Sequence, residues 1–371
     1  MTQELVRPAE TASESHRSRL QSLLMRTAAA SVRPLTAIII SLLIFAVILQ
    51  LVGYDALQIY KSLVLGSVGS TNAIGSTLRW ATPLILSGLA VALPLRAGLF
   101  NVGVEGQLYL GGFVSAMLGL HLSAPAFLAQ PLAIVLAALV GALWAAIPAA
   151  LLIFTGATEI VTTIMLSAIS VGVVDYLVNN HFRDPASAAA VMTKPVQAGY
   201  HFPSILPNSQ VSYGLLLAIV IGIAMHRFLN GTSGGYEVRM IGASQSFARY
   251  GGIRVGRSWL LVMVASGAIA GLVGAFETNG VNGRFISGFS PGYGLEGFLV
   301  AFLANSEPLA VLVAGLAVGA LQAGSLGVAI DFGVPRTTIS IMQGLIILLV
   351  SAQLGRFTVL KRLLTRRRAR P

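Results

Sequence analysis

The residues most able to do chemistry lie in one glycine-rich stretch, RAGLFNVGVEGQLYLGG, which runs from Arg96 to Gly112. It places Asn101, Glu105 and Gln107 between two strongly apolar segments. Ionisable side chains at membrane depth are rare, and they usually face a cavity or a partner. Asn101 and Glu105 are four residues apart, so a helix would present them on one face, and Gln107 on another. We predict that these three residues belong to a substrate pathway or gate.

The glycines of this stretch favour a backbone that is broken, or packed closely against another helix. Irregular backbone at membrane depth is tolerated only where it is buried in protein or lines a cavity. Two roles therefore stay open for Glu105. It contacts a solute directly, or it bonds the broken backbone or Arg96 near the cytoplasmic end of the pathway.

The composition places the chain in the membrane. Hydrophobic residues make up 55% of the 371 and charged residues only 10%, whereas soluble domains carry about a quarter charged residues. Runs such as 34–52 and 130–154 contain no charge. A helix needs roughly 20 residues to cross about 30 Å of hydrocarbon, and the first run is close to that length while the second is longer. The predicted fold class is all-α, a polytopic membrane protein.

Breaks between apolar runs predict about ten transmembrane helices within one membrane domain, residues 34–354. The eighth is short and is predicted as a half-span or re-entrant segment. The predicted spans are residues 34–53, 74–95, 102–122, 129–154, 158–178, 212–230, 258–279, 292–305, 308–330 and 336–354.

Basic residues predict the orientation, because cytoplasmic loops of membrane proteins carry an excess of arginine and lysine. The amino-terminal arm, residues 1–33, and the tail, residues 355–371, are both rich in arginine, so both termini are predicted to be cytoplasmic. An even span number then places the loop 231–257, with four arginines, inside and the loop 179–211, with one arginine and one lysine, outside. The net charge of +11 is therefore assigned to topology and not to nucleic-acid binding.

The chain lacks residues that several functional classes require. It has no cysteine and its five histidines are scattered, so we expect no metal site. No lysine follows a glycine, which excludes a GxxxxGK[ST] phosphate-binding loop in this chain. No grouping of serine, histidine and acidic residues suggests a hydrolase. We expect a transport protein with no catalytic residues and no cofactor of its own, and not an enzyme.

The loop 231–257 predicts a short helix. Ser244 suits an N-cap, residues 245–250 give about two turns, and the glycine pair that follows stops the helix at a left-handed position. Phe247 and Tyr250 lie three residues apart and share a face. The helix is either a peg that docks on a cytoplasmic motor protein or an interfacial helix that lies on lipid headgroups.

Three segments carry a family resemblance. GLFNVGVEGQLYLGG, TEIVTTIMLSAIS and GASQSFARYGGI, in this order, resemble the permease subunits of bacterial ATP-binding-cassette (ABC) importers of the nucleoside and simple-sugar group. The resemblance covers roughly residues 75–353. It departs at Ser167, where the family often has asparagine, so no substrate contact is transferred to Ser167.

The resemblance implies a multi-pass permease of the bacterial inner membrane with three kinds of partner. These are a cytoplasmic ABC ATPase, which binds the ATP, a second permease, and an extracytoplasmic substrate-binding protein or lipoprotein. The long arm and tail resemble the longer permease type of nucleoside systems, which favours a heterodimer. The loop matches the family's ATPase-coupling segment, and the predicted coupling residues are Gly242, Ala243, Phe247, Ala248, Arg249, Tyr250, Gly251 and Ile253.

A second polar group lies further along the chain. Glu277, Asn279 and Asn282 form with Arg284 a glycine-rich turn at the predicted outer ends of spans seven and eight, and we predict that it is part of the mouth or gate. Four other acidic residues at membrane depth or span ends are Glu159, Asp175, Glu296 and Asp331. Glycine pairs at four-residue spacing, 267/271 and 315/319, predict close helix packing.

The low charge of the pathway favours a neutral, hydroxyl-rich solute, a nucleoside or a simple sugar such as a pentose, over a phosphorylated one. Two other classes stay open. One is an ion-coupled secondary carrier that uses Glu105 as its proton or sodium site. The other is a scaffold protein whose polar residues only join helices.

Overall fold

The computed structural model describes residues 39–334 apart from 188, 189 and 208, together with 340–341 and 344–345. Within this part the chain is helical, and its only β pairing is three isolated bridges between loop residues. The described residues fall into two compact units, one with 39–56, 340–341 and 344–345 and the other with 57–334. The predicted arm 1–33, the tail 355–371 and most of the span 336–354 lie outside the described residues.

Twelve helices, labelled in chain order, cover the described part of the chain. Short π-helical turns, Val178–Phe182 and Phe276–Asn282, extend α6 and α10. The helices are α1 Ile39–Val52, α2 Ala56–Val68, α3 Thr71–Arg96, α4 Val104–His121, α5 Ala126–Thr155, α6 Glu159–Leu177, α7 Gly214–Gly231, α8 Ser233–Ala243, α9 Gln245–Tyr250, α10 Val255–Ala275, α11 Tyr293–Leu303 and α12 Pro308–Phe332.

Six of the described helices are long and apolar enough to cross a membrane: α3, α5, α6, α7, α10 and α12. The predicted spans at these places are confirmed as helices. α4 forms where span 102–122 was predicted, but polar residues near both of its ends keep it outside this group. α11 has only 11 residues, in line with the predicted half-span. α2 and α8 were not predicted, because both are short and mix apolar with polar residues.

α3 lies at the centre of the larger unit and packs against α10, α11 and α12, while α10 also packs against α4 and α5. Small residues allow this close approach. A Cβ atom added to Gly271 would lie 2.1 Å from the carbonyl oxygen of Ala137 on α5, and one added to Gly319 would lie 2.7 Å from the backbone nitrogen of Ala81 on α3. The prediction that the glycine pairs serve helix packing is confirmed.

Two helices begin inside the bundle. After α3 ends at Arg96, the chain turns back along α3. Asn101 donates a hydrogen bond to the hydroxyl of Ser266 on α10, and that hydroxyl donates to the carbonyl of Ala90 in α3 at 2.6 Å. α4 therefore starts beside the interior of α3, more than one turn before α3 ends. α11 also starts against the interior of α3, where the Tyr293 hydroxyl meets Arg79. In the irregular backbone before α4, Leu99, Asn101 and Gly103 are buried, whereas Gly98 and Phe100 are exposed.

Candidate functional site

Asn101 and Gln107 form a buried amide pair at the start of α4. The Asn101 Nδ2 donates to Gln107 Oε1 at 2.9 Å, and Gln107 Nε2 donates to Asn101 Oδ1 at 3.1 Å. Asn101 Nδ2 also donates to Ser266 Oγ, and its Oδ1 accepts from the backbone of Gly103. The predicted shared face of Asn101 and Glu105 is wrong, because Asn101 precedes the helix and folds back over its first turn.

Glu105 lies in the first turn of α4 and caps the amino terminus of α11. Its Oε2 accepts a hydrogen bond from the backbone nitrogen of Gly294 at 2.7 Å. The amino termini of helices carry partial positive charge, which a carboxylate stabilises. One carboxylate therefore serves two helix termini that meet inside the bundle.

Of the alternatives left open for Glu105, the bond to Arg96 is wrong. Arg96 sits at the end of α3, where its Nη2 is 2.7 Å from Glu307 Oε2 and its Nε donates to the carbonyl of Ser306. Glu105 does bond backbone, but that backbone belongs to α11 and not to its own broken stretch. The chain from Arg96 to Glu105 thus connects an ion pair at one end of α3 to the start of α11.

Glu277 forms an ion pair with a residue that was not predicted. Its Oε2 is 3.0 Å from Arg79 Nη2, and the hydroxyl of Tyr293 donates to the same oxygen at 3.3 Å. Glu277 is 2% exposed and Arg79 is 14% exposed. The sequence did hold a signal for Arg79, because it is the only charged residue in the predicted span 74–95, and a charge at that depth needs a partner.

The predicted polar mouth is mostly buried. Glu277 and Asn279 lie within the π-helical turn that ends α10, and both are covered by protein, while Asn282 is half-buried. Both amide atoms of Asn279 lack a hydrogen-bond partner in the described part of the chain. The Glu277 carboxylate does not face an open mouth, because Arg79 and Tyr293 both bond it. Their role in a gate stays a prediction.

The predicted short helix is confirmed as α9. Ser244 is its N-cap, and the Ser244 hydroxyl accepts from the backbone nitrogen of Phe247 at 3.3 Å. Tyr250 is 93% exposed and Phe247 61%, while Ala248 is buried. Only the second glycine of the stop signal, Gly252, is left-handed, with φ +78°. Of the other predicted coupling residues, Ala243, Arg249 and Gly251 are exposed, and Ile253 is half-buried.

The segment before α9 packs on the turn between α3 and α4. A Cβ atom added to Gly242 would lie 2.2 Å from the carbonyl oxygen of Arg96. Gly98, in the same turn, is left-handed with φ +73° and lies close to the Gly242 backbone. Only residues without a side chain fit this contact. A displacement of α8 and α9 would therefore reach the backbone that leads to Asn101.

Of the four other acidic candidates, Asp175, Glu296 and Asp331 each accept a hydrogen bond from another side chain. In the described residues, no three histidine, aspartate or glutamate side chains gather as metal ligands. Glu159 begins α6, Asp175 accepts from Ser287, Asp331 accepts from Ser62 at 2.8 Å, and Glu296 accepts from Gln322.

Comparisons with known proteins agree on one family. The model described as "Branched-chain amino acid transport system / permease component" matches residues 73–351. The chain is 34% identical to the guanosine ABC transporter permease protein NupP of Bacillus subtilis, over 86% of this chain and 92% of that protein. It is 34% identical to a glucose ABC transporter permease of Haloferax volcanii, over 85% of each. It is 31% identical to the nucleoside ABC transporter permease protein NupB of Lactococcus lactis, over 86% of this chain and 90% of that one. No solved structure matches.

Proposed function

Since the chain belongs to the family of branched-chain amino acid transport system permease components, we propose that it forms the solute path of an ABC importer for nucleosides. It is a permease subunit, a multi-pass membrane protein and not an enzyme. The observation that carries the nucleoside assignment is its near full-length similarity to permeases named for guanosine and nucleosides. A simple sugar is the second candidate, because the glucose permease is equally identical.

Charge compensation inside the bundle supports a neutral solute. In transporters with broken helices, free helix amino termini bind the anionic groups of substrates. Here the protein's own Glu105 occupies the terminus of α11, and Glu277 neutralises Arg79. No uncompensated positive group in this part of the bundle is left to hold a phosphate or carboxylate. A nucleoside or a sugar fits that arrangement better than a phosphorylated compound.

The proposed assembly follows the family. About ten spans with both termini in the cytoplasm place α9 on the cytoplasmic side, where an ABC ATPase can dock on its exposed rings. A substrate-binding protein or lipoprotein would deliver the solute on the opposite side, and a second, different permease would complete the path. ATP binds to the ATPase and not to this chain. The contact of Gly242 with Arg96 supports a mechanical route from the ATPase to α4.

Uptake by vesicles tests the proposal. Proteoliposomes that carry both permeases and the ATPase, supplied with external binding protein and internal ATP, should accumulate labelled guanosine. Unlabelled nucleosides should compete better than ribose or glucose. If only glucose competed, the substrate would be assigned as a sugar and not as a nucleoside. If the vesicles took up neither guanosine nor glucose, the proposal would be overturned.

Replacing Phe247 and Tyr250 together by alanine is expected to keep the protein folded but to uncouple the ATPase. Both rings are exposed, so their loss changes the free energy of unfolding by about 0.5 kcal/mol or less each. Aromatic anchors of an interface can contribute about 2 kcal/mol or more to binding. The stimulation of ATP hydrolysis by loaded binding protein should therefore collapse.

The matched control is Tyr176→Ala, which removes an exposed ring from α6. It should leave the stimulation unchanged. Stimulation that survives in the Phe247/Tyr250 double variant would show that α9 is not the docking helix and would favour its alternative place on lipid headgroups.

Glu105→Gln separates the permease from an ion-coupled carrier. The glutamine oxygen can still accept from Gly294, so we expect a folded protein whose free energy of unfolding falls by about 1 kcal/mol, because a charge-assisted hydrogen bond becomes a neutral one. ATP-driven uptake should continue at a reduced rate. A carrier would instead lose the response of uptake to an ion gradient, and a scaffold would lose assembly of the complex, which size-exclusion chromatography would detect.

A further inference from the structure

A polar cavity of about 820 Å³ lies at the end of the bundle where α3 begins, which is the outer side in the proposed topology. α3, the loop before α7 and α12 form its walls. Its volume is in the range of small-molecule sites. The residues that carry its chemistry are Asn72, Ser76, Arg79, Trp80 and Gln210.

Arg79 and Trp80 form a preorganised wall of this cavity. The Arg79 guanidinium carbon lies 4.2 Å from the centre of the Trp80 ring, in a cation–π contact. Glu277 and Tyr293 each hold one guanidinium nitrogen from behind. An arginine has five N–H donors, so further donors remain for an occupant. The ion pair with Glu277 cancels the charge, and the cavity therefore offers hydrogen bonds and a flat ring without a net charge.

We propose that this cavity receives a nucleoside on its way from the binding protein to the path, with the base packed against Trp80 and the hydroxyls facing Ser76 and Gln210. Aromatic side chains and arginine planes stack on bases of any type, because every base has a π-face. A sugar lacks that face, so the wall favours nucleosides over glucose or ribose. This inference rests on the proposed function and adds the place and the residues of recognition.

The cavity is connected to the start of α11. Tyr293, which bonds Arg79 and Glu277, is the first residue of α11, and the next residue, Gly294, is held by Glu105. An occupant that shifts Arg79 would thus act on the same end of α11 that Glu105, just after the α3–α4 turn, also holds. The solute site and the coupling segment meet at α11.

A single introduced cysteine tests the site, because the chain has no cysteine of its own. In the complete transporter, the cysteine of the Ser76→Cys variant should react with a membrane-impermeant thiol reagent. The label is measured on this chain alone, separated from its partners. Guanosine at ten times its dissociation constant should slow that reaction about tenfold. Ser123→Cys, an exposed position outside the cavity, is the control and should react at the same rate with and without guanosine.

When Trp80→Leu is added to the Ser76→Cys chain, the guanosine concentration that halves the rate of cysteine labelling should rise about tenfold. The reason is that the base loses the ring on which it stacks. Trp144→Leu, which lies between α5 and α6, should not change it. If the transporter takes up guanosine but guanosine never protects Ser76→Cys, the cavity assignment is overturned while the proposed function stands. Protection by glucose and not by guanosine would also overturn it. Absence of any nucleoside uptake would overturn the proposed function itself.

Discussion

Glu277→Gln should destabilise the protein by about 3–5 kcal/mol, because it leaves the Arg79 guanidinium buried without its counter-charge. The glutamine side chain has nearly the same size as glutamate, so the lost stability reports the effect of removing the charge and not a change in packing. Chemical unfolding in detergent micelles, followed by circular dichroism, would measure the change in the free energy of unfolding. Uptake should fall as well, since Tyr293 at the start of α11 loses an acceptor of fixed geometry.

Glu307→Gln is the matched control. Glu307 also pairs with an arginine, Arg96, at 2.7 Å, but the two side chains are 36% and 28% exposed. Solvent screens such a pair, and its removal should cost about 1 kcal/mol or less. A double variant, Arg79→Met with Glu277→Leu, should recover much of the stability lost in Glu277→Gln, because a buried ion pair can often be replaced by apolar groups. Equal stability of Glu277→Gln and Glu307→Gln would contradict the burial of this pair.

Gly274→Ala is the second substitution with a large expected effect. A Cβ atom at this position would lie 1.9 Å from the carbonyl oxygen of Leu108 and 2.4 Å from the backbone nitrogen of Gly112, both on α4. Backbone atoms cannot rotate away as a flexible side chain can, so α10 and α4 must separate. Such overpacking costs about 1–3 kcal/mol or more. Because Asn101 binds Ser266 on the same helix, we also expect reduced uptake.

Gly172→Ala makes the same change in α6, where an added Cβ atom meets nothing within 4 Å. Alanine favours a helix over glycine by about 1 kcal/mol, so this variant should be as stable as the wild type or more stable. The pair of variants separates steric contact from helix propensity. If Gly274→Ala were as well tolerated as Gly172→Ala in the same unfolding measurement, the close packing of α10 on α4 would be wrong.

The long helices could be predicted from the sequence because each is a continuous apolar run bounded by glycine, proline or charge. α9 could be predicted because its cap and its stop are local signals: Ser244 bonds the backbone three residues ahead, and Gly252 supplies the left-handed turn. α2 and α8 could not, since short helices of mixed composition have no such signature. Their stability comes from tertiary packing, and helices of 13 and 11 residues are too short for a periodic pattern to stand out in a single sequence.

The types of residue in the site could be predicted from the sequence, but the residues that they contact could not. Glu105 was singled out as an acid at membrane depth, yet its acceptor role for Gly294 joins residues 189 positions apart. The pair of Arg79 and Glu277 spans 198 positions. No local pattern links such residues. The orientation of Asn101 depended on where α4 begins. The helix begins at Val104, two residues after the predicted start, so Asn101 precedes it and does not share a helical face with Glu105.

The central claim is that this chain moves its solute with energy from a partner ATPase. The most direct test measures labelled guanosine in proteoliposomes with and without ATP, binding protein and an ionophore. We predict accumulation only when the complete set of subunits, binding protein and ATP are present, and no effect of the ionophore. Accumulation by this chain alone, driven by an ion gradient and abolished by the ionophore, would contradict the claim.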